Sequence, residues 1–219
     1  MQRTLAGARP PPWVPREDPF VIGGVFATFS TSRDPAPGER AWAAAIAGAL
    51  RAVISDVVQV DYEAGFLALR EGELLERAVR ALPELPDVLL VNASGRDHPR
   101  GAGLALHLGA MLDLPTVGVT DRPLVATPDP DGRLELEGAL VGYVVRTRPG
   151  IRPVVAHAAW RTDAAVARTV VLAAAGSVRT PEPLRRARFL ARSQRARAEE
   201  RLPPGWRMDQ LTRPRFPRR

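Results

Sequence analysis

Residues 87–119 read DVLLVNASGRDHPRGAGLALHLGAMLDLPTVGV, and they constrain the fold more than any other stretch of the chain. A β-prone aliphatic run at 88–91 ends in a polar turn at 92–103. An apolar-periodic helix follows at 104–112, and the chain returns through Pro115 to a second β-prone run at 116–119. This is a strand, turn, helix, strand unit. Its polar residues, Asn92, Ser94, Arg96, Asp97, His98 and Arg100, gather at the carboxyl end of the first strand. Open α/β sheets bind their ligands at such ends, so a site is expected there.

The flanking sequence supplies more strands and helices. Residues 20–29 (FVIGGVFATF) read as a strand, with Gly23 and Gly24 marking a close approach to the backbone. Residues 41–50 are Ala-rich enough for a helix. They lie between a turn and the β-branched run 53–60, so both segments read as strands of a meander. Residues 66–82 carry a helical apolar stripe ended by Pro83 and Pro86. Strands are expected at 141–146 and 153–157, then a helix over 163–175 capped by Thr162 or Asp163, and an Arg-rich helix over 184–202.

The organisation expected is a Pro-rich irregular lead-in over 1–19, a domain over 20–178 and an Arg-rich, partly disordered tail over 179–219. With 219 residues and 45% hydrophobic content, one domain can bury a core. There are no cysteines, which excludes disulfides and thiolate metal sites. Lysine is also absent, so a Lys base, Schiff base or phosphate contact is excluded. Of the formal net charge of +7, residues 179–219 hold +9, which leaves the rest mildly acidic. No segment resembles a signal peptide or a membrane span, so a soluble, cytoplasmic protein is expected.

Motifs raise a generic mixed α/β pattern to a specific one. Residues 96–109 (RDHPRGAGLALHLG), taken with PTVGV at 115–119, resemble the endonuclease V family. Residues 62–71 (YEAGFLALRE) are similar to that family's YIPGFLSFRE, residues 22–29 sit where its GxDxSF-like first strand belongs, and 181–184 (PEPL) resemble its PEPT. The resemblance implies an α/β fold with a ribonuclease-H-like mixed sheet flanked by helices, of endonuclease V type. It also implies nucleic-acid cleavage beside deaminated adenine, with strand carboxylates holding Mg²⁺ or Mn²⁺.

The chemical positions of that pattern are altered. The first-strand aspartate falls at Val25, the aspartate closing the central strand at Asn92, the lysine of GVAK at Asp121, or at Arg122 if the gap shifts by one, and the late histidine at Ala158, next to His157, which could replace it with a small register change. Glu71 alone is retained, so Glu71 and Asn92 would make a weak metal site unless Asp97 or Asp121 substitutes. On the recognition side, Asp61 and Glu63 place negative charge in the family's wedge loop, while Tyr62 still offers a stacking face. Gly65, Ser94, Asp97 and Arg100 are candidate substrate contacts, and His98 is a candidate catalytic contact or a structural turn residue. His107 reads as a packed, hydrogen-bonded helix residue.

The leading expectation is therefore a family member with lost or strongly reduced Mg²⁺-dependent cleavage. It would retain or repurpose a pocket for nucleic acid or an inosine-like nucleotide. An active divergent metal-dependent endonuclease, an enzyme acting on a small molecule, and an interaction protein using its basic tail are the alternatives.

Overall fold

The computed structural model describes residues 2–15, 19–30, 38–60, 63, 65 and 67–201. Thirteen elements follow one another: α1 (Gln2–Gly7), β1 (Ile22–Phe29), β2 (Glu39–Ala47), β3 (Leu50–Val58), α2 (Leu67–Arg80), β4 (Val88–Val91), α3 (Leu104–Leu112), β5 (Thr116–Thr120), β6 (Arg133–Leu136), β7 (Ala139–Val145), β8 (Val154–Ala158), α4 (Ala164–Ala173) and α5 (Glu182–Ala198). The strands form one mixed sheet in the order β3-β2-β1-β4-β5-β8-β7-β6. Helices cover both faces, as expected of the endonuclease V type.

Burial explains the layout. β4 is buried along its whole length, and β1 and β5 run parallel to it on either side. A strand covered on both faces reads as an unbroken aliphatic run, here Val88–Val91. On one face Val25, Leu89 and Val91 pack under α2 and α3 through Leu74, Leu75, Leu104 and Leu108. On the other, Val88, Leu90, Val117 and Val119 pack under α4 through Val170 and Val171, while Ala44 and Ile46 meet α5 at Leu190 and Ala191. The Ala-rich segment is a strand because its small side chains are buried on both sides of β2, and β2 pairs with β1 and β3 along its length. Tertiary packing overrides its helix propensity there.

Asp163 caps α4, its carboxylate accepting from the Val166 N–H at 2.7 Å. Two elements differ from the sequence expectation. Gln2–Gly7 is helical, since every proline of the lead-in follows it, and its carbonyls at Ala6 and Ala8 accept from the Arg96 guanidinium. β6 is an additional edge strand, four residues long and too short to stand out beside the turn that precedes it. The Arg-rich helix α5 lies across β1 and β2. Among the described residues no helix is long and apolar enough to cross a membrane.

Both glycines of β1 are close-approach positions. A Cβ on Gly23 would lie 2.6 Å from the Pro86 ring, and one on Gly24 would lie 2.4 Å from the Pro183 carbonyl carbon. Gly24→Ala is therefore expected to destabilise by about 1–3 kcal/mol, the usual range for overpacking. In a chain of this size that corresponds to a Tm loss of roughly 2–12 °C, read by thermal denaturation; an unchanged Tm would contradict this packing.

Candidate functional site

The register of the parallel strands locates the site. Val25 pairs with Val91, so Asn92 follows immediately at the carboxyl end of β4, beside the middle of β1. Two cavities open there and share Leu67, Asn92 and Leu104 in their walls.

The larger cavity, about 370 Å³, is bounded by Gly65, Ala68, Ala93, Ser94, His98 and the segment from Thr120 to Leu124. Its size falls within the roughly 300–1,000 Å³ of small-molecule sites. Its inner rim is a set of backbone turns. Gly65 has φ +84°, and its carbonyl accepts from Gln2 Nε2 at 2.9 Å and Arg100 Nη1 at 3.4 Å. The His98 Nδ1 accepts from the Arg100 N–H at 3.1 Å. Burial and the neighbouring Arg100 lower the His98 pKa, opposed by a backbone hydrogen bond to Gly65 and by Asp97. A neutral imidazole thus holds the loop and presents its edge to the cavity. Gly103 is required here for another reason: a Cβ would lie 2.4 Å from both the carbonyl and hydroxyl oxygens of Ser94.

Asp97 is neither a metal ligand nor a cavity residue. Its side chain is fully buried, and its two oxygens accept the N–H groups of Leu124, Val125 and Ala126 at 2.8–2.9 Å. His157 lies 3.6 Å away through Nδ1, while its Nε2 is 2.7 Å from the Thr120 hydroxyl. That hydroxyl donates to the Arg122 carbonyl, so the imidazole Nε2 donates to it. Burial drives the His157 pKa down to about 4, with Asp97 opposing. A neutral His157 and the Asp97 side chain therefore fix the loop that closes the cavity. His157 is locked in this network and cannot take the place of the family's late histidine, and the neighbouring Ala158 is buried and lines neither cavity. Asp97→Ala would strand three N–H groups at about 1–3 kcal/mol each. The expected Tm loss is at least about 6 °C, and thermal denaturation retaining the parent Tm would refute the anchoring role.

The smaller cavity, about 280 Å³, lies between β1 and α2 and is lined by Val25, Phe26, Leu67, Glu71, Leu75 and Val91 among others. Its walls are apolar apart from Glu71, Asn92 and Thr28. Val25 is fully buried there and contributes no oxygen. Although Glu71 keeps part of its surface open to the cavity, burial dominates and raises its pKa to about 7, opposed by Arg70. Arg70 itself is committed elsewhere, in a buried ion pair with Glu39 at 2.7 Å. Among the described residues, Glu71 has no hydrogen-bond partner. A raised folded-state value means the neutral form stabilises the fold. That contribution is complete below the unfolded value near 4.5 and is lost as pH rises through about 7. Glu71→Gln should match the parent protein at low pH and exceed it above pH 7 by on the order of 1–2 kcal/mol. Urea denaturation across that range tests this, and equal stabilities at high pH would contradict it.

Asn92 is exposed and lines both cavities. Its Oδ1 accepts from Arg188 Nη2 at 2.9 Å, and the Arg188 guanidinium lies 5.0 Å from the Phe26 ring centroid. Asp121 lines the larger cavity but is paired with Arg179 at 2.6 Å. No group of three His, Asp or Glu side chains that could hold a metal occurs among the described residues. Of the sequence candidates, Gly65, Ser94, His98, Asn92 and Asp121 gather at the larger cavity and Val25, Glu71 and Asn92 at the smaller. Arg100 acts on the loop from outside, and Tyr62 lies outside the described residues. His107 is packed against Gly72, yet its buried Nδ1 has no partner, unlike the hydrogen-bonded histidine expected. Sequence reasoning missed Gln2 and Arg188. The sole signal for Arg188 is its 4- and 3-residue spacing with Arg192 and Arg195.

Comparison with known proteins converges on one family. A model of the endonuclease V family matches residues 21–189. Endonuclease V of Methanopyrus kandleri is 42% identical over 158 residues, spanning 68% of this chain and 67% of that protein. The crystal structure of Endonuclease V from Streptomyces avermitilis is similar at a TM-score of 0.79 with 30% identity, covering 90% of this chain and 91% of the other. Ciona intestinalis Endonuclease V, solved in complex with a 24mer DNA containing an inosine followed by a ribo-adenosine, shares the fold at a TM-score of 0.68 and 18% identity, covering 82% of this chain and 87% of that one. The family match over 21–189, the 42% identity to a relative covered to two thirds and the similarity of the fold together make this chain a member of the endonuclease V family.

Proposed function

We propose that this chain binds an inosine-like nucleotide within nucleic acid and has lost, or strongly reduced, divalent-metal-dependent phosphodiester cleavage. The observation that carries this reading is the Arg188–Asn92 hydrogen bond at the carboxyl end of β4. Mg²⁺ and Mn²⁺ need hard anionic oxygens close together. Here one candidate ligand position is the aliphatic Val25, the second is an amide whose oxygen is taken by a guanidinium, and the third is a lone carboxyl with a pKa near 7. A fixed cation at hydrogen-bond distance from Asn92 also repels a dication. The residues present do not fit the metal, and no chemical step is assigned through one.

The larger cavity supports the binding half of the reading. Ala68, Leu104 and Leu124 give it apolar faces for a planar base, while Ser94 and the Asn92 amide nitrogen supply polar groups at its edge. Small residues and turn glycines let backbone approach such a base closely. Its walls are fixed by Asp97 on one side and by Gln2, His98 and Arg100 on the other. The inosine-containing DNA bound by the Ciona intestinalis relative suggests the same base class for this cavity.

Incubation with inosine-containing single- and double-stranded DNA and RNA, with Mg²⁺ and then Mn²⁺, is expected to give no cleavage while anisotropy reports binding. Robust cleavage that is abolished by Glu71→Ala would overturn this reading.

A further inference from the structure

Three arginines near the end of the chain are neutralised by ion pairs. Arg179 pairs with Asp121, Arg185 with Glu182 and Arg201 with Glu199. Arg188, Arg192 and Arg195 are different: among the described residues none of the three forms an ion pair. They lie at i, i+4 and i+7 on α5, and hence on one face, with the ends of the row about 10 Å apart along the axis. β1 holds them there. The guanidinium carbons of Arg188 and Arg192 lie 5.0 and 5.8 Å from the Phe26 ring centroid, and Arg195 Nη1 donates to Thr28 Oγ1 and the Phe29 carbonyl at 3.1 and 2.9 Å. The Nε atoms of Arg188 and Arg195 are buried without any partner.

Three like charges, partly desolvated and without a direct ion pair, with Asp121 acting on Arg188 and Glu199 on Arg195 only at longer range, are unfavourable in the protein alone. An anion laid along the row removes that penalty. The row begins at Asn92, whose side chain lines both cavities, so a base in the larger cavity would place its backbone at the start of the row.

We propose that Arg188, Arg192 and Arg195 form a phosphate track for a single-stranded nucleic acid, with Arg188 binding the phosphate next to the base held in the larger cavity. The track rests on the base-binding reading above. It requires no divalent cation, because the positive charge comes from side chains that are always protonated. Guanidinium suits the task, since its planar fork donates two parallel bonds to phosphate oxygens.

The test is fluorescence anisotropy of the full chain with short labelled single strands carrying either inosine or adenine at one position, in EDTA and over a salt series. The parent protein should bind the inosine strand in EDTA, and added Mg²⁺ should not tighten it. Arg188→Gln should weaken binding about 3–10-fold, and the triple Gln variant should lower the slope of log K against log salt by roughly 2, near 0.7 per single-strand phosphate. Arg192→Gln alone, at an exposed position, guards against misfolding and should lower the slope by roughly 0.7. Arg188→Lys should recover part of the affinity. Unchanged affinity and slope in the triple variant, with inosine preference intact, would sink the track and leave the base pocket standing. Loss of inosine preference with the arginine dependence intact would sink the base pocket alone. Binding that depends on Mg²⁺ would overturn the track. Competition by inosine 5′-monophosphate, itself sensitive to Arg188→Gln, would reassign the guanidinium to a free nucleotide and overturn the strand version.

Discussion

Backbone against backbone is the contact on which the site depends. Gly24 lets the first residues of α5, Pro183 and Leu184, settle directly onto β1. No side chain intervenes, so α5 approaches closely enough for Arg188 to reach Asn92 and for Arg195 to reach Phe29. A side chain at Gly24 would have to push α5 away from the strand that its arginines reach. The charge distribution at the strand ends is thus decided by a residue that has no side chain.

The two cavities illustrate opposite uses of a carboxylate. Asp97 is fully buried, and its oxygens accept from three backbone N–H groups and so fix a loop. Glu71 shares its cavity with Leu67, Leu75 and Val25 and has no hydrogen-bond partner among the described residues, and burial penalises its charged form. Sequence places both among acidic residues near a metal motif and cannot separate them. The difference lies in hydrogen bonds that span 27 to 29 residues for Asp97 and in their lack for Glu71.

Local signals carry much of the architecture. The 88–119 unit, the α4 cap at Asp163, the meander of β2 and β3 and the close approaches at Gly23 and Gly24 are all legible from period, propensity and turn chemistry. α1 is not, because a six-residue helix has weak intrinsic stability and is held by Arg96 and Gln2 contacts that span 63 to 100 residues. β6 is hidden by its length. At the site, motif alignment finds Val25, Glu71 and Asn92 and marks the altered chemistry. It does not find Arg188, whose bond to Asn92 joins residues 96 apart and follows from how α5 docks.

A metal ion is a diffusing ligand, present at a site only to the extent that its concentration exceeds its dissociation constant. Arg188 is joined to its site by the chain itself, so its occupancy beside Asn92 is set by folding and has no exchange with the surroundings. A chelator, a change in cellular magnesium or competition from a tighter-binding transition metal leaves it in place. The strand ends of this protein carry a positive charge for as long as the fold persists.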